Sequence, residues 1–223
     1  MKTSSLWPGS EPQPAAVPPA DPASPFAGCV TRDLAALVRR GLRFGTVYAD
    51  PPWPYANRAA RGAAEDHYRT MTLADICGLP VPQLVTAKAH LHLWATAAFL
   101  PDAFAVIRAW GFTYKSCFVW VKPVIGCGNY WRLAHELLLL GVRGRTPFRS
   151  KRERSWQELR RGRHSGKPER VRAVIERVSP GPYLELFGRK PADGWVVFGD
   201  AIERGLFDLD IPDLPEGASG GQP

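Results

Sequence analysis

Thr46-Val47-Tyr48-Ala49-Asp50-Pro51-Pro52-Trp53-Pro54-Tyr55 is the stretch from which the rest of the chain can be read. Val47 and Tyr48 suit a pleated, half-buried surface. Pro51 and Pro52 lack the N–H that a ladder needs, so a strand through residues 46–49 must stop at Asp50. An acid, two prolines and an aromatic at the carboxyl end of a strand do little for stability. In open α/β sheets that end is where ligands sit.

The turn offers a carboxylate and carbonyl oxygens, all of them acceptors. Such a set suits an NH2 group on a flat ring. Asp50 and the Pro51 carbonyl can each take one N–H, which directs the nitrogen lone pair outward toward an electrophile. Trp53 and Tyr55 add flat faces on which a base can stack, worth about 1–3 kcal/mol per base. The alternative is a Pro-rich turn plugged by an aromatic.

Bulk properties narrow the class. A chain of 223 residues with 45% hydrophobic content, 8 Trp and 10 Phe predicts one globular domain with a substantial core. The formal net charge of +8 favours a polyanionic partner, nucleic acid first. Cys29, Cys77, Cys117 and Cys127 form no C-x-x-C pair, which argues against a zinc site or a disulfide framework and for a reducing, cytoplasmic setting. His90 and His92 share one face of a predicted strand without a third ligand in sequence, so no metal is expected. The first residues hold no apolar signal core, and no apolar run is long enough to span a membrane.

Residues 1–27 read as a disordered leader rich in Pro and Ala, 28–210 as the folded domain, and 211–223 as a disordered tail. A short helix is predicted from Asp33, with Gly41 as its stop, and another after the N-cap Thr72. A third starts at Pro101, with Phe104, Ile107 and Trp110 on its buried face, and a fourth follows Lys167-Pro168-Glu169. Strands are predicted at 89–96, 115–122, 135–142, 183–189 and 195–200. A Gly-rich loop holding Tyr130 and Trp131 joins the second and third of these. Strands alternating with helices predict a mostly parallel, doubly wound α/β sheet.

Read in order, these segments resemble a known family, the S-adenosyl-L-methionine-dependent adenine-N6 methyltransferases of the MT-A70 type. The likeness runs from about Phe44 to Asp200. It is carried by Y-A-D-P-P-W (48–53), H-Y-R-T-M (67–71), L-H-L-W-A-T (91–96), V-W-V-K (119–122) and H-E-L-L-L-L-G-V-R-G (135–144). H-S-G-K-P-E (164–169), L-E-L-F-G-R (184–189) and G-W-V-V-F-G-D (194–200) complete the set. The resemblance implies a Rossmann-like methyltransferase fold in circularly permuted order, with the catalytic motif ahead of the cofactor-binding strand. It implies Asp50, Pro51, Pro52 and Trp53 as the catalytic motif, with Asp50 also touching the cofactor's ammonium. Lys167 is implied to meet the cofactor carboxylate, and Arg189 and Asp200 its ribose. Tyr68 and Glu136 match positions at the target-adenine pocket.

The implied substrate is adenine in nucleic acid, with DNA favoured because compact bacterial and phage members mostly act on DNA. An RNA substrate and a catalytically inactive, nucleic-acid-binding member of the same fold are the alternatives. A nicotinamide oxidoreductase is disfavoured, since no G-x-G-x-x-G follows a strand. A second copy of the chain is a further partner to consider.

Residues 149–167 read as a long basic loop, with eight basic side chains against two acids. Arg152, Arg154, Arg160 and Arg161 are the expected phosphate contacts, with Trp156 as a stacking face among them, and the loop is expected to be mobile without substrate.

Overall fold

The computed structural model describes residues 29–54, 70–126, 130–160 and 166–199. The predicted leader, the predicted tail, Tyr55, Tyr68, Arg161 and Asp200 lie outside the described residues.

Among the described residues, eight strands form one sheet. They are β1 (Cys29–Thr31), β2 (Phe44–Ala49), β3 (Val85–Ala95), β4 (Thr113–Val121), β5 (His135–Arg143), β6 (Trp156–Glu158), β7 (Tyr183–Leu186) and β8 (Trp195–Phe198). Among the described residues, five α-helices accompany them: α1 (Leu34–Arg39), α2 (Leu73–Cys77), α3 (Val81–Leu84), α4 (Leu100–Ala109) and α5 (Arg170–Val178). The strand order is β1-β8-β7-β2-β3-β5-β4-β6. All neighbours are parallel except β5, which runs antiparallel to both β3 and β4. The fold is therefore the expected Rossmann-like, mainly parallel open sheet.

Side-chain alternation shows why the sheet needs cover on both faces. Val47 and Ala49 of β2, Leu91, Leu93 and Ala95 of β3, and Leu139 of β5 pack into one core with Leu37, Ile76, Leu84, Ile107 and Trp110 from α1, α2, α3 and the end of α4. Tyr48, Trp94, Leu138 and Val197, each one residue out of phase, pack against Val171 and Ile175 of α5. A period of two sends alternate residues to opposite faces, so a strand apolar throughout requires helices on both sides. β2 is buried along its whole length.

Helix ends follow the expected chemistry. The Thr72 hydroxyl accepts from the Asp75 amide at 3.1 Å, and Asp33 accepts from the Ala36 amide at 3.0 Å. Gly41 and Gly111, with φ of +70° and +79°, close α1 and α4 in the left-handed region that glycine tolerates.

The structure departs from the sequence expectations at the margins. The segment read as one long basic loop contains β6. The Val119 amide donates to the Ser155 carbonyl at 2.8 Å and the Leu159 amide to the Val121 carbonyl at 3.1 Å, which pairs the otherwise open edge of β4. The opposite edge is formed by β1. Strands of three residues carry too little alternation to be recognised from sequence. β7 ends at Leu186 rather than at residue 189, because Phe187 takes a φ of +66° and turns the chain out of the sheet.

Candidate active site at the carboxyl edge of the sheet

Asp50 is the first residue past β2, and β2 is where the sheet divides. The chain continues to β3 on one side, while β7 and β8 return to the other side. Ligands in open α/β sheets bind at this kind of switch point. Because β5 is reversed, its beginning lies at the same edge as the ends of β2, β3 and β4. Asp50, Trp94, Lys122 and Glu136 are thereby gathered from four strands.

The proline turn is held by the backbone. The Trp53 amide donates to the Pro51 carbonyl at 2.8 Å, and the Met71 amide donates to the Pro52 carbonyl at 3.0 Å. A carbonyl has two lone pairs, so Pro51 keeps one acceptor site for an incoming N–H. The Trp53 ring is placed differently from the sequence expectation. It is only 4% exposed, stacks on Phe99 at 5.5 Å and donates its indole N–H to the Trp94 carbonyl at 3.2 Å. Its hydrophobic area is satisfied by the core, so in this conformation it braces the turn instead of offering an open stacking face.

Lys167, three residues ahead of α5, reaches across to Asp50. Its ammonium donates to both carboxylate oxygens at 2.7 Å. It also lies 3.2 Å from Glu136, whose other oxygen accepts from Lys122. Each lysine sits against an indole, Lys167 at 5.4 Å from the Trp94 ring centre and Lys122 at 4.8 Å from that of Trp120. The result is an alternating row, Asp50–Lys167–Glu136–Lys122. Burial pushes the Lys167 ammonium toward losing its proton, but Asp50 and Glu136 outweigh this and hold its pKa above the ordinary lysine value. Burial likewise works to raise Glu136, and the two lysines more than offset it, keeping its carboxyl below the usual range. The row is most exposed at Asp50, the end that faces solvent.

Further buried polar side chains lie on and around the neighbouring strands. Glu185 on β7 lies beside Tyr48 and receives the Arg172 guanidinium in a two-pronged bond of 2.7 and 2.9 Å. Burial pushes Glu185 up to about 6, against the pull of Arg172 and with the help of the Asp50 charge. Burial, then Glu185, also raises the Tyr48 phenol, whose oxygen accepts the Trp94 indole N–H at 2.7 Å. Where β3 ends, the Thr96 hydroxyl is buried without a partner among the described residues.

Of the residues expected from sequence, Asp50, Lys167 and Glu136 are brought together. Arg189 follows β7 on the same edge and is partly buried. Arg152, Arg154 and Arg160 are exposed. Glu153, in the same segment, is held by Arg177 at 2.7 Å. Lys122, Glu185 and Arg172 were not singled out. The signal for Lys122 was present, since a lysine closing the apolar strand V-W-V-K beside a proline needs a buried counter-charge.

An open, mainly parallel sheet with an acid and a lysine facing each other at its switch point defines a Rossmann-like α/β protein, and in such folds that edge is where ligands bind. The MT-A70 family model matches residues 44–201, and the chain belongs to that family, whose methyltransferases use S-adenosyl-L-methionine. It is 30% identical over 187 residues to the human N(6)-adenosine-methyltransferase catalytic subunit METTL3, covering 77% of this chain and 30% of that protein. An N(6)-adenosine-methyltransferase MT-A70-like protein of Drosophila melanogaster is 29% identical over 177 residues, covering 72% of this chain and 27% of that protein. The mouse N(6)-adenine-specific methyltransferase METTL4 is 23% identical over 193 residues, covering 76% and 40% respectively. The chain thus spans about a quarter to two fifths of the length of these curated relatives. Among the described residues no helix is long and apolar enough to cross a membrane.

The donor set fits the cofactor. Its methionine end carries an ammonium and a carboxylate, and the edge of the sheet presents Asp50 and Lys167 as counterparts of opposite sign, 2.7 Å apart. Lys167 has three N–H donors and Asp50 about four acceptor positions, so each can take a ligand group while keeping its partner.

Proposed function

We propose that this chain transfers the methyl group of S-adenosyl-L-methionine to the N6 nitrogen of adenine in nucleic acid. The observation that carries the reading is the Asp50–Lys167 pair at the end of β2, beside a proline turn that presents acceptors. The cofactor, when bound, supplies a methyl group on a sulfonium, which needs alignment more than activation. Orientation of this kind is worth about 7–11 kcal/mol of a barrier.

Asp50 accepts one N–H of the adenine amine and Pro51 the other, so the nitrogen lone pair points away from the turn. After transfer, Asp50 is the nearest acceptor for the excess amine proton. Lys167 contacts the cofactor carboxylate, and Arg189 and Asp200 its ribose. Glu136 holds Lys167 in place, with Lys122 behind it. Tyr55 and Tyr68 border the adenine, and Arg152, Arg154, Arg160 and Arg161 hold flanking phosphates. A target inside a helix has to be unstacked to reach Asp50, and contacts on flanking phosphates help to keep it out.

DNA is the substrate this reading favours, by likeness to compact bacterial and phage members. RNA is the second reading, favoured by the relatives named for adenosine. Incubating the protein with labelled cofactor and matched DNA and RNA oligonucleotides, followed by nucleoside mass spectrometry, tests both. N6-methyladenine in DNA alone is the expected result. Label in RNA alone replaces the substrate. A chain that binds nucleic acid but labels neither is the inactive member of the fold.

A further inference from the structure

The connection between β4 and β5 leaves the sheet at the active-site edge and returns to it. Its feet are the active-site residues Lys122 and Glu136. The Lys122 amide donates to the Ala134 carbonyl at 2.7 Å, and the Gly126 amide to the Leu133 carbonyl at 2.7 Å, which ties the two arms together. Beyond those bonds the chain exposes apolar surface. Tyr130 is 96% exposed and Trp131 87%, with Val124 at 75% and Ile125 at 65%. Among the other described tryptophans, Trp53, Trp94, Trp110, Trp120 and Trp195 are at 4% exposure or less, and Trp156 is at 47%. Two almost fully exposed aromatic rings side by side contribute nothing to the fold, and a large exposed ring on a soluble surface marks a contact.

Charge selects the occupant. Residues 122–135 contain Lys122 and Arg132 and no acid. Arg160 emerges next to this connection, because the Leu159 amide and carbonyl are bound to Val121 and to the Trp120 indole at 3.1 and 2.8 Å. Exposed Glu158 precedes Arg160 by two residues, and the connection itself holds aromatic faces and cations with no acid, a combination that suits a chain of bases and phosphates. Trp131 is five residues from Glu136, at most about 17 Å of extended chain, within reach of nucleotides a few places from one held at Asp50.

We infer that Tyr130 and Trp131 form a stacking platform for unpaired nucleotides flanking the target adenine, with Arg132 and Arg160 on the adjoining phosphates. The inference rests on the methyltransferase reading above and deepens it: the preferred substrate is single-stranded, or locally opened, around the target. The faces of Tyr130 and Trp131 take bases of any identity, so the platform adds affinity and strand preference and little sequence preference.

The test measures binding of a fluorescently labelled single-stranded oligonucleotide and of its duplex by anisotropy, with cofactor affinity by calorimetry alongside. The variants are Trp131→Ala, Tyr130→Ala/Trp131→Ala and Trp131→Phe. The wild type is expected to bind the single strand more tightly than the duplex. Single-strand affinity falls about tenfold to hundredfold in the double variant, Trp131→Phe restores most of the loss from Trp131→Ala, and cofactor affinity and melting temperature are unchanged. Unchanged single-strand binding in the double variant overturns the platform. So does light scattering that shows a wild-type dimer and a monomeric double variant, which makes the patch a contact between copies. A protein that binds single strands through Tyr130 and Trp131 yet transfers no methyl group keeps the platform and removes the activity. A protein that methylates while the variants bind like wild type does the reverse.

Discussion

His90, His92 and Trp94 follow one another at two-residue steps along one face of β3, and they belong to two different buried polar clusters. His90 and His92 both meet the Ser179 hydroxyl, at 2.9 and 2.8 Å, where α5 ends. Trp94 lies beneath Lys167, where α5 is about to begin. One helix therefore spans the two clusters, and they solve the burial of polar groups in opposite ways. The histidine cluster is neutral: burial pushes His92 down to about 3 and lowers His90, so neither ring carries charge at neutral pH. A serine with one donor and two acceptor sites satisfies both rings without ions. The Asp50 cluster is ionic, and its most exposed member is the one that a ligand would meet. Ions in a dry interior are costly and add little net stability. Their place at the rim therefore argues for a role in binding, and the neutral pair in the interior argues for a structural one.

Replacing Asp50 gives the largest contrast. Asp50→Ala is expected to lower methyl transfer by at least about a hundredfold, in the range of a positioned proton acceptor, while the protein stays folded. Near-normal activity on a good substrate would detach the chemistry from this motif.

The basic rim outside the ionic cluster comes next. Arg152, Arg154, Arg160 and Arg161 changed together to Ala should weaken nucleic-acid binding across sequences. The salt dependence of binding should flatten by about one unit of slope per lost phosphate contact. Cofactor affinity should stay put. Identical affinity and salt slope would make that segment a solvated surface.

On the proposed reading, Lys167→Ala and Arg189→Ala each remove a charge-assisted bond to the cofactor. Calorimetry should show a loss of about 1.5–3 kcal/mol in cofactor binding for each. Unchanged affinity in both would remove the assignment from these residues.

The neutral cluster should respond in stability alone. Ser179→Ala leaves the two histidine rings short of partners and should cost about 1–3 kcal/mol in denaturant unfolding, with cofactor affinity retained. A variant as stable as wild type that binds cofactor poorly would reverse the two roles.

The last contrast is in pH dependence. An unfolded histidine takes up a proton near pH 6.5, whereas folded His92 refuses one until about pH 3. Stability is therefore expected to fall as pH drops through that window, by up to about 1.4 kcal/mol per pH unit. Glu185 opposes it between about pH 6 and 4.5, because the folded state takes up that proton first and gains stability as pH falls. The decline should be shallow down to about pH 4.5 and steeper below, where the paired Glu136 also begins to lose its contribution. Unfolding curves recorded at steps from pH 7 to 3 check the shape, and His92→Leu should flatten the lower part.

Legibility in the sequence differs sharply between elements. α5 was plain, since Val171, Val174, Ile175 and Val178 recur at helical spacing and all four are buried. The stop of β2 at Asp50 was plain because proline cannot pair. The N-caps Thr72 and Asp33 were readable as short polar side chains ahead of apolar periods. β1 and β6 were not, because three residues show no period and each exists only through its neighbour. Lys122 was in view but carried no role, because nothing local indicates that Glu136 stands opposite. Trp53 stays open in the sequence between a stacking face and a plug, because an aromatic after a turn can cap the core or face a ligand, and the contact with Phe99 decides which.

The order of polar and apolar residues along the chain was enough for the alternating strands and helices, the acid held at a strand end and the excess of positive charge between 149 and 167. Periodicity, proline geometry and charge are local properties, and they survive without a fold. The joining of Lys167 to Asp50 across 117 residues required the sheet order and the reversal of β5. The same holds for the row through Glu136 to Lys122, the seating of both histidines on Ser179, and the exposure of Tyr130 and Trp131. These contacts are set by which strand lies next to which, a choice made by the packing of the whole core and written in no single segment.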